Sequence, residues 1–177
     1  MSNIISLSKN SPKEEWLQMS NGAADVVIEM LILNGSASAK TEYEKEFVVW
    51  LAEKDQNTIG IGTVGFEIDE MPWTKKNFSA EKEFMINVIK NAENKCKWDK
   101  LGYIPTEEIV VPFLKQLRAL FEQMTEDLID ESSRKEWLDS ADDNDPIKCG
   151  FPRCEKHNVL LSCFGCKICG AYESKLY

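Results

Sequence analysis

The sequence predicts a mainly α-helical protein: a helical domain over residues 1–145 with a minor extended segment, then a small hairpin tail over 146–177. Three observations lead there. Apolar residues recur at helical spacing in several long stretches. Helix-capping signals precede those stretches. Five of the six cysteines crowd into residues 149–169, around His157, the single histidine.

Ser11-Pro12-Lys13-Glu14 reads as a capping box with proline at the first helical position. Trp16, Leu17, Ala24, Val27, Ile28 and Leu31 follow at helical spacing. Asn21-Gly22 is a point of interruption, and Asn34-Gly35-Ser36 reads as the helix end. A second box, Thr41-Glu42-Tyr43-Glu44, opens a helix with Tyr43, Phe47, Trp50 and Leu51 on its apolar face. Residues 58–68 read as extended chain, where the glycines imply close backbone approach or a bulge. Ser79 is positioned to cap a third helix striped by Phe84, Met85, Val88, Ile89, Ala92 and Cys96, which makes Cys96 a core residue. A fourth helix runs through Phe113, Leu114, Leu117, Leu120, Phe121, Met124 and Leu128, with Pro112 starting it or kinking its approach. A short helix near 134–138 and an acidic linker over 140–146 complete the domain.

Composition narrows the function. At 43% hydrophobic residues the chain can build a core. It has no run of about 18 apolar residues, and its start lacks a signal-peptide pattern, so a cytoplasmic protein away from membranes is expected. The net charge is −9, and residues 120–145 hold ten acids against Arg134 and Lys135. That stretch is either a solvated helix face with its linker, or a docking surface for a basic partner. The candidate partner contacts are Glu126, Asp127, Asp130 and Glu131, the loop acids Glu67, Asp69 and Glu70, and the aromatic anchors Trp73 and Trp137. Such acidity argues against direct nucleic-acid binding, because phosphates would be repelled.

The tail carries the sharpest motif. Cys166-x2-Cys169 places two thiolates in one tight turn, followed by Gly170. Cys154-x2-His157 supplies two further donors from a matching turn, and Val159-Leu160-Leu161 reads as the strand between the two knuckles. The pattern predicts one structural Zn2+ per chain on Cys154, His157, Cys166 and Cys169. A rival set replaces His157 with Cys149. Cys163 is expected outside the ligand set. Folding about thirty residues that bury little apolar surface is the role such an ion would have. No nucleophile–base pair and no phosphate-binding loop is legible, so no enzymatic activity is expected.

The run Gly65-Phe66-Glu67-Ile68-Asp69-Glu70-Met71-Pro72-Trp73, then Trp98-Asp99-Lys100-Leu101-Gly102-Tyr103-Ile104-Pro105, then the paired knuckles, resembles small zinc-tailed immunity proteins of bacterial contact-dependent growth inhibition and related polymorphic toxin systems. The resemblance implies an acidic, cytoplasmic, non-enzymatic protein that binds a cognate toxin, often a basic nuclease domain, and blocks its active site. The acids of 120–145 or 67–70 would then imitate the phosphates the nuclease grips. The alternative is an intracellular zinc-stabilised adaptor or regulator, which the +3 charge of residues 146–177 leaves open.

Overall fold

Ser20, not Ser11, caps the first helix: its hydroxyl accepts from the Ala23 amide, and α1 runs Asn21–Ser38. The computed structural model describes residues 3–173. In it the chain ahead of α1 is a small antiparallel pair, β1 (Ile4–Ser6) and β2 (Leu17–Gln18), with one 3-10 turn between them. The expected box fails locally. Ser11 Oγ accepts from the Ser8 amide at 3.0 Å, so its oxygen is turned away from the residues that follow. Leu17 is buried as expected, but as a strand residue.

Residues 27–36 of α1 are all buried, so this helix is enclosed by its neighbours rather than lying on a surface. That enclosure carries it past Asn34-Gly35-Ser36, because each of those residues meets a tertiary contact. Asn34 Nδ2 donates to the carbonyls of Met30 and Cys96 at 3.0 Å. A Cβ on Gly35 would lie 2.7 Å from Val48 Cγ2, so glycine sets how closely the next helix approaches. Ser36 Oγ accepts from the Leu160 amide of the tail.

The second helix, α2 (Glu42–Ala52), has the predicted capping box with both halves formed. The extended segment then gives two short strands, and a third forms just ahead of it. β3 (Asp55–Gln56) pairs with β4 (Gly62–Thr63), and β5 (Phe66–Glu67) runs parallel to β1, giving the sheet order β2-β1-β5. Close backbone approach occurs at Gly65, where a Cβ would sit 2.1 Å from the Ile4 carbonyl oxygen.

α3 (Phe78–Glu93) starts one residue before Ser79, with Asn77 at the cap position. Its predicted stripe is buried through Ala92, but Cys96 lies exposed in the following turn. The helix ends first and takes Cys96 off the apolar face. α4 (Glu107–Gln123) begins ahead of Pro112, which lies inside it. Met124 is buried just beyond its end, and Leu128 falls in a 3-10 turn. α3 and α4 pack most extensively of all the helix pairs.

α5 (Glu131–Ser140) is longer than the sequence suggests and buries no residue. Polar contacts hold it to α2. The Arg134 guanidinium makes two 2.8 Å bonds to Glu46, and Trp137 Nε1 donates to Glu53 at 2.7 Å.

Trp73 stands in the core at 1% exposure. Its Nε1 donates to the Ile68 carbonyl at 2.7 Å, and Phe47 meets it edge-on at 4.7 Å. A buried ring of that size contributes on the order of 3 kcal/mol or more. Trp73 is therefore a core residue and not a partner anchor: Met71-Pro72 turns it inward. Among the described residues no helix is long and apolar enough to cross a membrane.

Candidate metal centre

The tail builds its site from two turns. In the first, the Asn158 amide donates to the Cys154 carbonyl at 2.8 Å, and the Cys154 amide to the Val159 carbonyl at 2.9 Å. Asn158 adopts φ 54°, a conformation asparagine tolerates. The second turn bends at Gly165, φ 87°, and runs into α6 (Lys167–Glu173). Gly170, which follows the second knuckle cysteine, lies inside that helix, and the Cys169 amide faces Cys166 Sγ at 3.4 Å. The expected strand over Val159-Leu160-Leu161 reduces to isolated bridges between Arg153 and Leu160 and between Ser162 and Gly165.

These turns bring Cys154, His157, Cys166 and Cys169 together, half-buried, with all four donor atoms within 4.8 Å of one another. His157 Nδ1 lies 3.7 Å from Cys154 Sγ, 3.6 Å from Cys166 Sγ and 3.4 Å from Cys169 Sγ, and Cys154 Sγ lies 3.8 Å from Cys169 Sγ. Bonds of about 2.3 Å to sulfur and about 2.0 Å to nitrogen, arranged as a tetrahedron, put sulfurs about 3.8 Å apart and sulfur about 3.5 Å from nitrogen. The cluster could thus hold one metal ion such as zinc. The rival ligand Cys149 lies elsewhere, its exposed Sγ 3.6 Å from the Asp143 carbonyl. Cys163 is also outside this cluster.

The thiols are unequal. Burial raises the Cys154 thiol's pKa, but the His157 and Lys156 amides and the neighbouring thiols outweigh that and hold it below its ordinary value. Burial pushes Cys166 up to about 12. Burial and the Lys156 charge both lower His157, which favours the neutral imidazole that a metal needs. A bound cation would deprotonate the coordinating thiols outright.

Lys167, between the two knuckle cysteines, anchors the site to the helical body. Its side chain is 2% exposed and pairs with Asp25 of α1 at 2.5 Å and Asp55 of β3 at 3.0 Å. Burial alone would lower its pKa, but the two carboxylates hold it above the usual lysine value. Arg153 adds a 2.7 Å bond to the Ser36 carbonyl, and Val159, Leu160 and Ile168 join the same apolar core as the helices. The sequence reading missed this anchor. A lysine inside a cysteine knuckle reads as solvated, and its two acids lie far away in the chain.

The candidate partner residues separate. Glu126, Asp127, Asp130 and Glu131 are all exposed, although Asp130 also caps α5 and Glu131 accepts from the Lys75 amide at 3.0 Å. Trp137 is half-buried with its indole N–H committed to Glu53. Glu67, Asp69 and Glu70 do come together. Burial, then Glu70, raises the pKa of both Glu67 and Asp69. They join a wider acidic band that sequence spacing could not reveal. Lys54, stacked 3.7 Å over the Trp50 ring, feels Glu70, Glu53 and Glu67 together. Glu53 in turn clusters with Asp145 and Cys163. Burial pushes the Glu53 carboxyl up to about 7 against the Trp137 hydrogen bond, and Asp145 adds to the rise.

No protein-family model, curated protein or solved structure matches this chain.

Proposed function

We propose that the chain is a zinc-braced, non-catalytic immunity protein that binds a basic toxin domain, a nuclease by its chemistry, and blocks its active site. The supporting observation is the acidic band. Glu67, Asp69 and Glu70 crowd one another, as do Glu53 at the end of α2 and Asp145, and Lys54 feels both groups; burial first, and then the neighbouring acids, raise the carboxyl pKa values of Glu53, Glu67 and Asp69. A cationic partner would relieve that crowding, so the band favours binding it more than an ordinary scatter of surface acids would. Glu126, Asp127, Asp130 and Glu131 extend the negative surface of the chain and speed encounter.

The zinc has a structural role in this reading. Three thiolates and one imidazole complete a tetrahedron, whereas a catalytic zinc keeps one position open. One ion per chain braces the tail that closes over α1.

Stopped-flow association with the toxin domain encoded beside this chain tests the proposal. The association rate should fall as salt rises. Glu67→Gln, Glu70→Gln and Asp145→Asn together should slow association more than they speed dissociation. Neutralising Glu126, Asp127, Asp130 and Glu131 should act in the same direction. Association indifferent to salt and to both sets of substitutions would overturn the reading, as would the lack of any toxin partner.

A further inference from the structure

A cavity of about 340 Å³ opens beside His157. α1 contributes Leu33 to it, the turn after α3 contributes Lys97 and Lys100, and the tail contributes Lys156 and the apolar floor of Val159 and Ile168. Among the described residues no carboxylate lines it. In a chain of net charge −9, three lysines thus line one concavity. Asp99 does pair with Lys100 at 3.2 Å, but both side chains are more than half exposed, so water weakens that pair.

Lys97 adopts φ 65°, in the left-handed region where glycine or asparagine carries less strain. A lysine there carries a conformational cost that glycine would avoid. His157 presents Nδ1 to the three sulfurs. When that nitrogen ligates a metal, Nε2 carries the proton and becomes a hydrogen-bond donor on the ring's other edge.

Lysine offers compact point charges, and no arginine lines the cavity to grip a planar carboxylate in two-pronged fashion. Phosphate, with two charges and several acceptor oxygens, matches such a rim better than a single carboxylate does. The floor is apolar, and the volume lies within the range of small-molecule sites. We infer that this cavity binds an organic phosphate of mononucleotide size, its phosphate on Lys97, Lys100 and Lys156 and its body over Leu33, Val159 and Ile168. This inference is independent of the toxin partner.

The test is a titration of the full chain with adenosine 5′-monophosphate and, separately, with inorganic phosphate, followed through the backbone amide NMR signals of Lys97, His157 and Val159. Saturable shifts at all three are expected, with the nucleotide binding more tightly than phosphate alone. Lys97→Gln with Lys100→Gln should weaken nucleotide binding roughly tenfold or more, while Lys148→Gln, which lies outside the cavity, should not. Both lysines are exposed, so the double variant should fold, and its zinc content reports that directly. Lys97→Gly separates the roles further: it should raise the Tm by relieving the left-handed strain and still weaken binding. The inference is overturned if the nucleotide fails to saturate, if the double variant binds as the unmodified chain does, or if inorganic phosphate binds as tightly as the nucleotide.

Discussion

α3 and α4 bury Phe84, Met85, Val88, Ile89, Ala92, Val110, Leu114, Leu117, Leu120 and Phe121, whereas residues 146–170 bury only Val159, Leu160 and Ile168 among their hydrophobic side chains. Each large apolar side chain in the helix pair contributes roughly 1.5–3 kcal/mol by leaving water. The tail lacks that area. It relies on a cluster of four side chains that could hold a metal ion, the Lys167 pair with Asp25 and Asp55, and hydrogen bonds to Ser36. Many weak, interchangeable contacts tolerate the loss of one. A few directional contacts do not.

The largest effect expected from this contrast is removal of one thiolate. Structural zinc in small domains is worth about 10–16 kcal/mol of apparent binding energy. Cys166→Ser or Cys169→Ser should release the ion and expose the tail to proteases, while far-UV circular dichroism keeps most of its helical signal. Cys149→Ser should keep one zinc per chain by elemental analysis. Full zinc in both knuckle variants would overturn this ligand assignment.

In the body, Phe121→Ala should cost about 3–5 kcal/mol in urea unfolding by opening a cavity against Trp73, with zinc content unchanged. A loss of zinc in that variant would mean that the two regions do not depend on separate forces.

Lys167→Met probes the joint between them. It leaves the Asp25 and Asp55 carboxylates facing a neutral side chain, and it should cost about 2 kcal/mol, less than a fully buried pair because Asp25 is 35% exposed. Adding Asp55→Asn should recover part of that loss. A double variant no better than the single one would show that the ion pair is not what anchors the tail.

The smallest effect concerns pH. The Glu53 carboxyl titrates near 7 in the folded chain, against 4.5 ordinarily. Between those values the folded state binds more proton than the unfolded state, so this group's contribution to stability falls as pH rises from about 4.5 to about 7. Glu53→Gln keeps an oxygen for the Trp137 N–H and should flatten that slope. It should stabilise the chain at pH 8 by on the order of 1 kcal/mol relative to pH 5 after allowing for solvent screening. Thermal melts of both forms across that range give the comparison.

Where sequence signals were local, they could be read. The Thr41–Glu44 capping box involves neighbouring residues only, and the spacing of Cys154, His157, Cys166 and Cys169 places each pair within a single turn. The Ser11 box shows the limit, because the same residue types also suit a 3-10 turn between strands, and pairing between β1 and β2 decides the outcome. Asn34-Gly35-Ser36 looked like a helix end because its tertiary partners Cys96, Val48 and Leu160 lie on other segments. Trp73 follows a polar loop and is buried only because α2 and α4 bring Phe47 and Phe121 to it. Lys167 and Glu53 carry no local mark of their partners Asp25, Asp55 and Asp145.

The sheet order β2-β1-β5 bears on how the chain is made. Ile4–Ser6 precedes both of its partners in the chain yet becomes the middle strand. It can pair with Leu17–Gln18 almost at once, but its other edge stays open until Phe66 and Glu67 leave the ribosome. α1 and α2 lie between those partners in the sequence and pack on each other, so their docking shortens the loop that must close. Pulse-labelled amide exchange during refolding should therefore show the α1–α2 pair protected before the β1–β5 edge, as local contacts precede distant ones.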